Sequence, residues 1–388
     1  MNVEEIRDRM KKIQSALLEF LENESDAEEN YEFFFEVVNE YHLTEDKCKI
    51  KSILQLINEI GNNHQRVSNF IFKIERILIN FKKDIHNFFS NSEIFELFQY
   101  NKRILLFLIE EKIMTIDEYI VSRITSYKFS DKNYCEYFGP EIKPFLTKKF
   151  IQKYQSNNSN LRNEEFIEKI QKDFPEDFYD KRKEGENDNY LCELIRRNRV
   201  KEFGVYVNRN NISLDTCIEK SIFETNPLLN DSKIHLIEYA SFYGSIEIIK
   251  YMRINCNVEL SSSMWKYAIH SRNAELIKYL EDNVIQPPFG EYVETLRESI
   301  ESHHNDVTKY IIDYLIDEDD LQDSIENNYY CNLYRYAVEY YNYCFFPTDM
   351  KHKNMFLYLV KYGYYELVEH YLSEGNIDIN ATIIILII

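Results

Sequence analysis

Three sets of side chains in this 388-residue chain are of types that can do chemistry: seven cysteines (Cys48, Cys135, Cys192, Cys217, Cys256, Cys331 and Cys344), the adjacent pair His303 and His304, and the acidic run Asp317, Glu318, Asp319 and Asp320. A thiol nucleophile needs a base beside it, and Cys192, Cys217 and Cys256 are the candidates. Small hydrophobic packing is the commoner use of such residues. Adjacent histidines on a helix point in different directions, so His303 and His304 do not readily share one metal, and the H-E-x-x-H pattern of zinc proteases is absent. The acidic run lacks the alternating ligands and central glycine of a calcium loop. It reads as a solvated loop, with docking of a basic peptide as its sharper reading. No two glycines lie close enough to cradle a phosphate. The expectation is a non-catalytic protein with no cofactor and no metal, a cysteine- or carboxylate-dependent enzyme being the alternative.

The elements that must position these residues are helices. Only eight glycines and seven prolines punctuate the chain, and its apolar residues recur at helical rather than alternating spacing. The clearest stripe runs from His64 to Phe89, through Val67, Phe70, Ile71, Ile74, Leu78, Phe81, Ile85 and Phe88. Further helices are expected over Val3 to Glu22, Tyr31 to His42, Lys47 to Ile60, Lys102 to Ile113, Ile142 to Lys153 and Asn163 to Phe174. The acidic stretch after Glu22 is expected to leave the first helix loosely attached, or as half of a helical hairpin. Gln155 to Arg162 is the most linker-like segment, and Asp180 to Asn189 is a second break.

The second half repeats itself. The segments IEIIKYM (from Ile246), AELIKYL (from Ala274), NDVTKYI (from Asn305) and YELVEHY (from Tyr365) share one pattern of apolar and charged positions. Each follows a shorter apolar helix. A small position near the end of that first helix, where two antiparallel helices approach closely, is assigned to Leu194, Ala240, Ala268 and Ser299. The turn between the helices is held by Asn198, Gly244, Arg272, His303 and Gly363, of which Gly244 can take the left-handed conformation that ends the first helix. Tyr329 to Phe346 reads as a degenerate further unit, and Phe95 to Leu108, with Asn101 at its turn, as a weak echo. Trp265 falls in a first helix, where its ring packs between neighbours.

These units resemble ankyrin repeats, in which a turn and two antiparallel helices recur about every 33 residues. More narrowly, LCELIRRNRVKEF, LIEYASFYGSIEIIKYM, MWKYAIHSRNAELIKYL and IDINATII are similar to a large protist family of divergent ankyrin-like proteins with a domain of unknown function. The T-P-L-H signature is missing from every unit. The resemblance implies an all-α chain with a helical N-terminal region (1–185), an ankyrin-type α-solenoid of antiparallel helix pairs (186–382) and an apolar tail (383–388). It further implies a protein-binding scaffold with an unidentified protein partner, whose concave surface would carry Tyr243, Ser245, Ser262, Ser263, Lys266, His270 and Arg272.

A net charge of −20 opposes binding to nucleic-acid phosphates and favours, weakly, a basic partner. Scattered cysteines without a C-x-x-C pair read as reduced thiols, and the acidic start MNVEEIRDRM does not read as a signal peptide. No run reaches the roughly 18 apolar residues that a membrane helix requires. An intracellular, cytoplasmic setting is therefore expected. A regular array would continue beyond Asn380, so a truncated repeat protein with little independent function is the second functional expectation.

Overall fold

The computed structural model describes residues 2–23, 28–63, 69–126, 129, 133–158, 160–230, 233–287, 292–316, 329–346 and 353–373. The acidic run 317–320, Val67 and the tail 383–388 lie outside them. Among the described residues the chain is all-helical, with one isolated bridge pairing Cys217 with His235 in place of a sheet. None of these helices is long and apolar enough to cross a membrane.

In chain order the helices are α1 (Val3–Glu22), α2 (Glu28–Glu40), α3 (Lys47–Asn63), α4 (Phe70–Asn80), α5 (Lys82–Phe88), α6 (Asn91–Phe98), α7 (Lys102–Glu110) and α8 (Glu118–Ile124). Two single turns (Tyr134–Tyr137 and Gly139–Ile142) precede α9 (Lys148–Tyr154), α10 (Glu164–Gln171) and α11 (Glu176–Glu184). The repeat region supplies α12 (Tyr190–Arg196), α13 (Val200–Asn210), α14 (Leu236–Phe242), α15 (Ile246–Cys256), α16 (Met264–Ser271), α17 (Ala274–Asp282), α18 (Val293–Glu301) and α19 (Asn305–Tyr310). After these come α20 (Tyr329–Glu339), α21 (Lys353–Lys361) and α22 (Tyr365–Ser373).

Local chemistry sets the helix ends. Asn2 and Glu5 form a reciprocal capping box at the start of α1, and Ser90 with Glu93 does the same for α6, satisfying backbone donors that have no partner within the helix. Asn101, expected at the turn before an apolar second helix, lies there and caps α7 by accepting from the Ile104 N–H. The stripe from His64 to Phe89 divides at Phe81 into α4 and α5. The single helix expected over Ile142 to Lys153 is broken: Lys143–Phe145 is a 3-10 turn around Pro144, and α9 starts afresh behind its cap Thr147, because proline has no N–H with which to continue the helical ladder. The linker-like stretch is also structured, with two 3-10 turns and a buried Asn158 whose amide donates to the Thr125 hydroxyl at 2.7 Å.

The chain forms two compact units, one from residues 1–74 with 268–388 and the other from residues 75–267. In the first, α1 is not loose. It packs along α2 and against α22, burying Ala16, Leu17, Phe20 and Leu21. Its Gln14 amide donates to the Tyr341 carbonyl at 3.0 Å, and Arg9 pairs with Glu366. Lys73, almost wholly buried, donates to the Phe20 and Asn23 carbonyls and lies over the Phe20 ring, so its charge is compensated rather than stranded. In the second unit, buried Arg182 holds both carboxylate oxygens of Glu141 at 2.7 and 2.9 Å and donates to the Tyr137 carbonyl at 3.0 Å. Within that unit α12 packs on α14, and α13 on α15. Gly204 gives the Tyr251 ring room to approach, since a Cβ there would stand 3.0 Å from its hydroxyl.

One turn recurs. Asn198, Gly244, Arg272, His303, Tyr341 and Gly363 all take left-handed φ, between +48° and +75°. In five of the six the amide of that residue bonds the carbonyl three residues back, and the next amide bonds the carbonyl five back, on Leu194, Ala240, Ser299, Ala337 or Leu359. This is the Schellman end of a helix. The accepting residues include Leu194, Ala240 and Ser299, three of the positions read from the sequence, and each acceptor is almost fully enclosed.

Candidate binding site

After four of these six turns, the next residue makes a second, longer-range bond. In the 75–267 unit the Ser245 hydroxyl donates to the Ile195 carbonyl at 2.5 Å. In the other unit Asn342 donates to the Ile300 carbonyl at 3.0 Å, and Tyr364 to the Val338 carbonyl at 2.7 Å. His304 places its Nε2 3.3 Å from the His270 carbonyl. Ile195, Ile300 and Val338 already accept the turn amides of Asn198, His303 and Tyr341, so each oxygen uses both lone pairs. The end of one first helix is thereby bonded to the start of a later second helix. Sequence reasoning missed this tie, because Ser, His, Asn and Tyr share only a hydrogen-bonding head.

Two of the seven expected surface residues therefore belong to the interior. Ser245 is enclosed and engaged with Ile195; His270 is enclosed, with Nε2 2.9 Å from Glu298 Oε2 and Nδ1 3.3 Å from the Asn63 carbonyl. The others keep some exposure. Ser262 is exposed, Ser263 donates to Glu238, Lys266 is partly exposed, and the Tyr243 ring lies 4.9 Å from that of Tyr239. Arg272 bonds Glu22 and Asp306, each at 3.0 Å. Tyr243, Ser262, Ser263 and Lys266 fall in the 75–267 unit, and His270 and Arg272 in the other. Trp265 is fully enclosed, as its packing role requires.

A cavity of about 340 Å³ opens in the unit built from residues 1–74 and 268–388. Its floor is Ile6, Ile13, Ile53, Leu56, Tyr343 and Leu367, all buried. Polar groups ring it: Arg9 bound to Glu366, Lys49 3.7 Å from Asp46, and the exposed Cys48 and Glu369. Asp46 is fixed because it accepts the backbone amides of Cys48 and Lys49, both at 2.9 Å, at the start of α3. The volume falls within the range of small-ligand and side-chain pockets.

Burial shifts several of the groups that could react. Burial pushes the Cys192 thiol up to about 12 and the Cys135 thiol beyond the usual range, and raises Cys344 as well, whereas a nucleophilic thiol is lowered. Burial, then the charges of Glu301 and Glu339, raises the Glu59 carboxyl to about 8; burial raises Glu224 to about 7 against the opposing Asn226 amide, Lys102 and Arg196. Among the described residues no three His, Cys, Asp or Glu side chains are placed to hold a metal. No protein-family model, no curated protein and no solved structure matches the chain.

Proposed function

We propose that this protein is a non-catalytic scaffold that binds another protein through helix pairs of divergent ankyrin-like type. The observation that carries the reading is the recurrent unit: a left-handed turn closed by two amide bonds, followed by a side chain bonded to a carbonyl of an earlier first helix. Repetition of one supersecondary unit creates extended surface rather than a single cleft. The raised thiols speak against a cysteine nucleophile. The six cysteines whose side chains are described are free, which suits the reducing interior of a cell.

The test is affinity purification with mass spectrometry of the wild-type chain beside a Tyr243→Ala, Lys266→Glu variant. A partner captured by the first and lost by the second, with unfolding transitions unchanged, is the expected result. A partner held equally by both removes these residues from the binding surface. Specific labelling of the native chain by serine- or thiol-directed activity probes would overturn the non-catalytic reading itself.

A further inference from the structure

We infer that the cavity floored by Ile6, Ile13, Ile53, Leu56, Tyr343 and Leu367 seats an apolar side chain of a positively charged, amphipathic peptide. The inference rests on the scaffold reading and adds to it a further contact, in the unit that lacks Tyr243 and Lys266, with the chemistry of the partner segment that docks there. Two observations converge.

The first is charge. Residues 1–74 with 268–388 contain 36 acidic and 17 basic side chains, against 30 and 29 in residues 75–267; together these are the 66 acidic and 46 basic residues of the chain. Among the described residues the counts are 24 acidic and 15 basic in the first unit against 28 and 27 in the second, so the surplus of negative charge lies in the unit that holds the cavity. Such a field draws cationic partners and repels nucleic acid and anionic lipid. The second is the cavity itself, whose apolar floor needs an apolar guest while its rim offers acid. Arg9 and Lys49, the basic groups at the rim, are engaged by Glu366 and Asp46. Glu369 is exposed and makes no ion pair among the described residues. A guest that is apolar at its tip and basic beside it satisfies both features, as an amphipathic helix or strand of a partner does.

The experiment uses the full chain and three fluorescein-labelled helical peptides. One carries Leu and Phe on one face with Lys and Arg on the other; the second replaces Lys and Arg by Glu; the third replaces Leu and Phe by Ser. Fluorescence polarisation should show the first binding at least about tenfold tighter than either comparator, with Glu369→Lys weakening it severalfold. In unmutated protein the same peptide should slow N-ethylmaleimide modification of Cys48, at the cavity rim, while leaving exposed Cys256 in the other unit unaffected, read by peptide mass spectrometry.

Equal binding of the serine comparator would overturn the inference, since charge alone would then account for affinity. So would unprotected Cys48, or protection of Cys48 by decyl maltoside but not by the peptide, which would mark a lipid-like ligand instead. A partner captured in the affinity experiment that leaves Cys48 fully reactive refutes the cavity assignment while the scaffold reading stands.

Discussion

The Ser245 hydroxyl lies 2.5 Å from the carbonyl oxygen of Ile195, so the first turn of α15 is bonded to the last turn of α12. Removing that donor by Ser245→Ala should lower stability by about 1 kcal/mol. Asn342→Ala, which loses bonds to both Ile300 and Asn305, should cost about 2 kcal/mol. Urea unfolding measures both against Ser262→Ala, an exposed control expected to be silent. Equal midpoints for all three proteins would show that these bonds add nothing to stability.

Gly363 isolates the conformational requirement of the turn. Its φ is +75°, and a Cβ there would meet its nearest neighbour at an ordinary 3.5 Å, so Gly363→Ala changes backbone preference without a clash. A loss of about 1 kcal/mol is expected. Asn198→Gly, at φ +48°, should be neutral or slightly stabilising. Stabilisation by Gly363→Ala would contradict the left-handed assignment.

Arg182 should not tolerate lysine. Its guanidinium spans two carboxylate oxygens and a carbonyl and lies over the rings of Tyr137, Phe178 and Tyr179. An ammonium cannot reproduce that planar fork. Arg182→Lys is expected to cost about 2 kcal/mol, read from the thermal midpoint; an unchanged midpoint would mean the pair is replaceable.

Alkaline pH should weaken the fold. Because the Glu59 and Glu224 carboxyls are raised to about 8 and about 7, the folded chain retains protons that the unfolded chain has released above its ordinary carboxylate range. Stability therefore falls as pH rises from about 5 to 8. Glu59→Gln and Glu224→Gln should each flatten that decline in urea titrations at several pH values. A slope identical to wild type in both variants would assign the decline elsewhere.

The turn was legible in the sequence and the ties between turns were not. Asn198, Gly244, Arg272, His303 and Gly363 could be placed because ending a helix in the left-handed region is a local demand, visible through spacing and a few favoured residues. Which side chains point inward is not local: Ser245 and His270 look like surface residues until the carbonyl of Ile195 and the carboxylate of Glu298 are brought to them. The break at Pro144 was available from proline chemistry but was masked by the apolar spacing on either side of it. For the cavity, Ile6, Leu56 and Leu367 come from three distant helices, and no pattern within any one of them marks the space they enclose.

Gln14 and Tyr341 are bonded across 327 positions of the chain, and this separation bears on how the molecule is made. During synthesis the first 74 residues leave the ribosome long before the segments that complete their core, while residues 75–267 emerge together and can consolidate as they appear. The opening helices must therefore wait with apolar flanks bare, a slow closure of the kind that long sequence separation imposes and that invites chaperone binding.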